Sequence, residues 1–176
     1  WREDAVVRNA AHGLVQAGEA TLPGLIDVLR AGTARGRKHA AFALGEIGAA
    51  DARDVLIDAL ADEDVHVRIA ASEALGIVEP SPATRDALLG ALGDPASEVR
   101  FDAALSLARA AVCGTSELMV DTVGPLEDAL FDTNRYVSAY AAETLERIGT
   151  PEAFEALVPF LRTARWCPHT DNRRPF

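Results

Sequence analysis

The phrase RIAASEALG, residues 68–76, recurs along the chain and decides the fold. Related phrases are RKHAAFALG at residues 37–45 and RFDAALSLA at residues 100–108, which begin 31 residues before and 32 residues after it. Weaker copies begin at Arg8 and Ser138. A phrase that returns at a nearly constant spacing is the signature of a repeat architecture. The sequence therefore predicts about five copies of one structural unit.

Each unit is predicted to be a pair of helices. Within one copy, Ala71, Ala74, Leu75 and Val78 follow the spacing of a helix face. Further apolar helical segments lie between the copies, at residues 22–30, 52–61, 83–93, 123–131 and 151–162. Such helices cannot bury their apolar faces alone, so neighbouring units must stack. The expected fold is an all-α superhelix, or solenoid, of about five helix pairs.

The same spacing suggests how the chain is divided. The helices that carry the phrase, here called the second helices, are expected to begin near residues 7, 37, 67, 99 and 137. A longer gap before the last copy predicts an insertion near residues 112–122. We expect the solenoid to span residues 1–163 and a basic and aromatic tail to follow at residues 164–176.

An aspartate precedes the arginine position by six residues at the joints marked by Asp62, Asp94 and Asp132. With the Val-Arg, Ala-Ala and Ala-Leu-Gly steps that follow, this pattern resembles the HEAT repeat, in the short bacterial class first known from phycobilin lyases. The resemblance implies structural roles: the aspartate braces the turn, and Arg37, Arg68 or Arg100 reaches a neighbouring repeat. Ser138 replaces the arginine in the last copy, so we expect that joint to be irregular.

Charge is concentrated in the middle of the chain. The 176 residues include 17 basic and 27 acidic side chains, and residues 51–132 alone hold 5 basic and 17 acidic ones. Such a field repels nucleic acid and anionic membranes. The acidic residues either form a solvent-exposed outer face or form an acidic surface that binds a basic partner. Without a long apolar run or a cysteine-pair motif, the sequence predicts a cytoplasmic protein that does not enter membranes.

A concave groove is the expected binding surface, because the resemblance places the second helices on the concave side. Positions one, two, five and nine after the repeat arginine then face outward. In an alternative arrangement, Phe42 and Leu105 are not exposed in the groove and instead point into the core between repeats. The expected partner-binding residues on these helices are acidic and aromatic for the most part: His39, Phe42, Glu46, Glu73, Phe101, Asp102, Leu105, Tyr140 and Glu143.

Catalytic motifs are missing from the sequence, which has no phosphate-binding loop and no nucleophile elbow. Glu73, Asp102 and Glu143 on adjacent helices are the candidates for a general acid or base. No histidine or cysteine lies at a convincing metal-ligand spacing, and no cofactor is predicted. Whether the chain is an enzyme stays open, with a non-catalytic role favoured.

The two ends of the repeat array also suggest contacts. The first copy has no preceding helix partner, so we expect either an earlier segment or a second subunit to cover it. Trp166 in the tail is expected to anchor a cap on the last helix pair, or else an arm that docks on a partner.

The sequence thus favours a protein-interaction scaffold that binds a protein or peptide, basic in character, in its concave groove. The alternative is a subunit of a heteromeric enzyme that acts on a small molecule, as the resemblance to lyase repeats allows. The HEAT-like alkylpurine DNA glycosylases are least favoured, because such a protein needs a basic groove for the duplex.

Overall fold

The computed structural model describes residues 2–113 and 121–163, which form α-helices joined by short turns. Short 3-10 turns occupy Gly18–Thr21 and Ala50–Ala52. Most of the predicted insertion and the whole tail, including Trp166, lie outside the described residues. The helices are α1 (Arg2–Ala17), α2 (Leu22–Ala31), α3 (Ala34–Ile47), α4 (Arg53–Ala59), α5 (Val65–Leu75), α6 (Pro82–Ala91), α7 (Ser97–Cys113), α8 (Val123–Ala129), α9 (Arg135–Ile148) and α10 (Pro151–Thr163).

The helices stack in two layers. The odd-numbered helices pack on one another in chain order, α1 on α3, α3 on α5, α5 on α7 and α7 on α9. The even-numbered helices pack against their odd-numbered neighbours and form the other layer. The fold is therefore an all-α solenoid of about five helix pairs, as the repeat spacing predicts.

Local signals set the helix ends. Asp64 and Asn134 accept hydrogen bonds from the backbone N–H groups of His66 and Tyr136, at 2.8 and 3.0 Å, and thereby cap α5 and α9. Ser81 caps α6 in the same way. At the C-terminal end of α3, Gly48 adopts the left-handed conformation, with φ of 70°, that glycine tolerates best. These residues place each turn where the repeat period requires it.

The core is built from leucine and alanine contributed by both layers. Alanines such as Ala41, Ala71 and Ala104 are fully buried in the odd-numbered layer, where their small side chains let helices approach closely. Leucines fill the space between the layers and keep at most 1% of their surface exposed: Leu44, Leu56, Leu75, Leu88, Leu107, Leu126, Leu130 and Leu145.

The glycine that ends two of the repeat phrases lies where successive odd-numbered helices approach closely. A Cβ atom added to Gly45 would lie 2.6 Å from the Cβ of Ala74, and one added to Gly76 would lie 2.7 Å from the Cβ of Ser106. Real side-chain atoms do not come this close. The glycine is thus required by packing between successive repeats.

Replacing Gly76 by alanine is expected to destabilise the protein by about 2 kcal/mol, because the new methyl group must push α5 away from α7. Gly90 in α6 is the matched control, since nothing lies within 4 Å of its added Cβ. Gly90→Ala should stabilise by about 0.5–1 kcal/mol through helix propensity. Urea unfolding of both variants measures the difference; equal effects of the two substitutions would contradict the packing argument.

Arginine and aspartate form a ladder of ion pairs between successive repeats. Arg37 bonds to Asp62 with Nε to Oδ2 at 2.7 Å, Arg68 to Asp94 at 2.7 Å, and Arg100 to Asp132 at 2.6 Å. In each pair a second guanidinium nitrogen donates to the other carboxylate oxygen. These two-point contacts fix the distance and the rotation between repeats.

Each ladder residue also ties down its own turn. Arg68 donates from Nη1 to the carbonyl oxygen of Asp62, six residues earlier, at 2.9 Å. Asp94 accepts from the backbone N–H of Ala96 at 2.8 Å. The Arg37 guanidinium, through its hydrogen bond, holds the pKa of Asp62 below the ordinary carboxyl value. The structure thus confirms the implied roles: the aspartates brace their turns, and the arginines reach a neighbouring repeat.

The ladder changes at both ends of the array. Ser138 takes the place of the repeat arginine, and its hydroxyl donates to the carbonyl oxygen of Asp132 at 3.3 Å. Ser138 therefore holds its own turn but is too short to reach another repeat. At the other end of the array, Arg37 donates to the carbonyl oxygen of Gly32, five residues earlier in the sequence. Arg68 and Arg100 each donate to a carbonyl oxygen six residues earlier.

Replacing Arg68 by alanine should cost about 2 kcal/mol of unfolding free energy, because it removes charge-assisted hydrogen bonds to two turns. Arg30→Ala, at an exposed position of α2, serves as the control and should change stability by less than about 0.5 kcal/mol. Thermal or urea unfolding provides the measurement. A loss for Arg68→Ala no greater than that of the control would show that the ladder does not hold the repeats together.

Candidate binding groove

The predicted groove residues lie on the odd-numbered layer, which we call the groove face. Glu46 and Glu73 are exposed. Trp166 lies outside the described residues. The remaining predicted residues are half-buried: His39, Phe42, Phe101, Asp102, Leu105, Tyr140 and Glu143.

Two carboxylates from neighbouring helices interact at the middle of the groove face. Asp102 of α7 has its pKa raised to about 6, first because burial disfavours its charged form and second because Glu73 of α5 adds a like charge. Arg109 acts in the opposite direction but does not outweigh these two effects. The groove face thus holds a half-buried, incompletely neutralised carboxylate beside an exposed one.

The third acidic candidate is paired separately. Arg147 donates from Nη2 to Oε1 of Glu143 at 2.5 Å, one helical turn away on α9. The same guanidinium donates from Nη1 to the carbonyl oxygen of Ala108 at 3.3 Å and so connects α9 to α7. Glu143 therefore has its own cationic partner, whereas Glu73 and Asp102 form the like-charged pair.

Aromatic rings gather beside the carboxylate pair. Phe101 meets the ring of Tyr140 edge to face at 5.7 Å and the ring of Tyr136 at 6.0 Å. Phe101 and Tyr140 also pack against the apolar core, which explains why they are half-buried. Phe101 directly precedes Asp102 on α7, so α7 contributes one member to the aromatic cluster and one to the carboxylate pair.

Tyr136 and Arg135 belong to this cluster, although they are not among the groove residues predicted from the sequence. Tyr136 is 47% exposed, and the guanidinium of Arg135 lies 4.8 Å from its ring centre and donates to its hydroxyl at 2.8 Å. They lie before the Ser138 position, in the first turn of α9, whereas all groove residues predicted on the helices follow the repeat arginine position. An aromatic residue two positions before the repeat arginine position is the sequence signal that identifies Tyr136.

The other predicted aromatic, Phe42, lies two helices away. Its ring contacts His12 edge to face at 5.7 Å. His12 itself is exposed. Phe42 and Leu105 are half-buried, between the two alternatives of an exposed strip and a core position. These apolar side chains of the groove face are therefore less accessible to a partner than a fully exposed strip would be.

The Asp102 environment predicts a pH-dependent stability. Because the folded-state pKa exceeds the unfolded value of 3.8, the folded protein binds more protons between about pH 4 and 6, and stability falls as pH rises through that range. Asp102→Asn should therefore stabilise by about 1 kcal/mol at pH 7, a value discounted for the partial exposure of the side chain.

The advantage of Asp102→Asn over the unmodified protein should shrink on acidification to pH 4. Urea unfolding at several pH values tests this, and Asp54→Asn on the exposed face of α4 controls for the loss of one negative charge. A difference that stays constant with pH would refute the assigned environment of Asp102.

Known families match the chain over most of its described length. The family model described as HEAT repeats matches residues 22–108, and the model described as PBS lyase HEAT-like repeat matches residues 139–163. The chain is a HEAT-repeat protein. No curated protein matches this HEAT-repeat chain significantly. None of the helices in the described ranges is both long and apolar enough to cross a membrane.

Solved structures share the fold. A chain of the complex of CpcE and CpcF of phycocyanin lyase from Nostoc sp. PCC7120 is 26% identical, with a TM-score of 0.65 over 75% of this chain and 84% of that one. An engineered protein is 26% identical, with a TM-score of 0.64 over 88% and 73% of the two chains. A designed armadillo repeat protein in complex with the peptide (KR)4 is 20% identical, with a TM-score of 0.69 over 92% and 82%, a likeness of fold alone.

Proposed function

We propose that this HEAT-repeat protein is an interaction scaffold whose groove face binds a basic segment of a partner protein. The observation that carries the proposal is the like-charged pair of Glu73 and Asp102 beside the aromatic cluster of Phe101, Tyr136 and Tyr140. HEAT-type solenoids present an extended surface that suits an elongated ligand. A cytoplasmic location is part of the same proposal.

Electrostatics favours a cationic side chain at the carboxylate pair. The repulsion between Glu73 and Asp102 is an unfavourable interaction that Arg109 offsets only in part. An arginine or lysine from a partner would neutralise the negative charge of the pair and stabilise the ionised form of Asp102. The excess of acidic residues in residues 51–132 would also attract a basic segment over longer distances.

The aromatic cluster suits the same ligand. Guanidinium groups stack on aromatic rings, and Arg135 already does so on Tyr136 within this protein. The exposed part of Tyr136 leaves ring surface for contact with a partner. Aromatic residues beside charged groups are common anchors of protein interfaces. The two features together favour arginine-containing segments over purely lysine-rich ones.

Binding of a basic peptide tests the proposal directly. The peptide (KR)4, found with a protein of the same fold, is a suitable probe, and (DE)4 is its acidic counterpart. The double substitution Glu73→Gln with Asp102→Asn should weaken (KR)4 binding about tenfold, which corresponds to about 1.4 kcal/mol. The control is Asp27→Asn with Asp54→Asn, an equal loss of charge at exposed positions of the even-numbered layer.

Calorimetric titration at low and physiological salt measures both affinities. Weakening confined to the groove variant supports the proposed site. Equal weakening in the two double variants would mean that only the overall charge attracts the peptide. Binding of (DE)4 as tight as that of (KR)4, or no binding of either peptide, would overturn the proposal.

A heteromeric enzyme subunit is the second candidate, and the likeness to a chain of the phycocyanin lyase complex favours it. The groove face would then hold a partner subunit, and the carboxylate pair would lie at or near a shared site. Light scattering and intact-mass analysis of the protein isolated from its native host decide between the two. A stoichiometric second chain with a bound small molecule would favour the enzyme subunit.

A further inference from the structure

One side of α10 is apolar and exposed. Phe154, Val158 and Leu161 keep 50%, 45% and 72% of their surface accessible. They follow one another at spacings of four and three residues, so they line up along the helix. We call these three residues the α10 flank. It lies beside the face of α10 that packs on α8 and α9, and not on the groove face.

The apolar arc of α10 is too wide for a helix with a single packed side. Ala153 and Ala156 are buried, and Leu157 and Phe160 pack against the core. Together with the flank, these residues cover roughly 200° of the helix circumference at about 100° per residue. The core-facing residues of α2, by comparison, cover roughly 100°, the usual width for a helix at a protein surface. The sequence of α10 is thus that of a helix packed on two sides.

A further exposed aromatic side chain contacts α10 on the other side of its core-facing residues. Phe131, just after α8, is 54% exposed, and its ring meets that of Phe160 edge to face at 6.2 Å. Exposed apolar side chains that line up along one helix, as they do on the α10 flank, mark a contact surface in a folded protein.

We infer that residues 164–176 fold back along α10 and cover the α10 flank, with Trp166 as the main anchor. These thirteen residues follow α10 directly and include the apolar side chains of Trp166 and Phe176. Extended, they span about 43 Å, more than twice the roughly 20 Å length of α10, so they can run back along the whole helix. The covalent link gives the segment an effective concentration that separate partners rarely match.

Charge also favours this segment over a second copy of the chain. The segment carries Arg165, Arg173 and Arg174 against the single acidic residue Asp171, whereas the protein as a whole is acidic. Glu155, exposed on α10, lies next to Val158 around the helix and borders the flank. A second acidic copy would bring like charges together, while the basic segment brings opposite ones.

Tryptophan fluorescence of the full chain tests the inference. The sequence has two tryptophans, Trp1 and Trp166, so Trp1→Phe leaves Trp166 as a single reporter. In this background we expect blue-shifted emission and protection from iodide and acrylamide. Phe154→Ser and Leu161→Ser should each shift the emission to the red and raise the quenching constants several-fold. Val28→Ser, at an exposed apolar position of α2, should leave both unchanged.

The outcomes separate the possible occupants. Circular dichroism confirms that each variant keeps its helices, so that a red shift reports undocking and not unfolding. Water-like emission of Trp166 in the unmodified background, or protection that ignores the flank substitutions, would overturn the inference. Protection that appears only with dimer formation in light scattering would assign the flank to a second copy instead. None of these outcomes depends on peptide binding at the groove face.

Discussion

The ion pairs that link each repeat arginine to the aspartate of the next turn are the constraint on which the structure depends. Arg37, Arg68 and Arg100 each bond to their own turn and to the following one, so the turns at Asp62 and Asp94 are each held by two arginines. Helices rich in alanine offer smooth surfaces that can slide and rotate. A planar guanidinium with a two-point partner removes that freedom because only one geometry satisfies both hydrogen bonds.

The close packing of the second helices follows from the same constraint. With the repeats held in register, Gly45 meets Ala74 and Gly76 meets Ser106, and the buried hydroxyl of Ser106 donates to the carbonyl oxygen of Ser72 at 2.9 Å. The odd-numbered helices are then near enough for side chains on consecutive repeats to interact. The Glu73 and Asp102 pair and the Phe101 and Tyr140 contact both form across such a boundary. The candidate site is thus a product of the repeat geometry.

The two proposed contact surfaces belong to different layers and to different kinds of interaction. The groove face offers charge with aromatic support on the odd-numbered helices, and it suits a cationic, extended ligand. The α10 flank offers apolar area on an even-numbered helix at one end of the array, where a solenoid has no further repeat in the described residues to cover it. Solenoid ends need such cover, whereas the groove gains from staying open.

The sequence by itself determined the period and the helix pairs, because both depend on residues at regular spacings along one chain. The resemblance to HEAT repeats implied structural roles for the repeat arginines and aspartates, and the tertiary structure showed that each arginine pairs with the aspartate of the following turn. The sequence also placed Glu73 and Asp102 on adjacent helices. Only the tertiary structure decided that Asp102 is half-buried beside Glu73, that Glu143 pairs with Arg147, and that Tyr136 joins Phe101. The tertiary structure likewise decided how far Phe42 and Leu105 are buried. These outcomes depend on the rotation of each helix about its axis, and a rotation of a few tens of degrees moves a side chain between core and solvent without changing the sequence pattern.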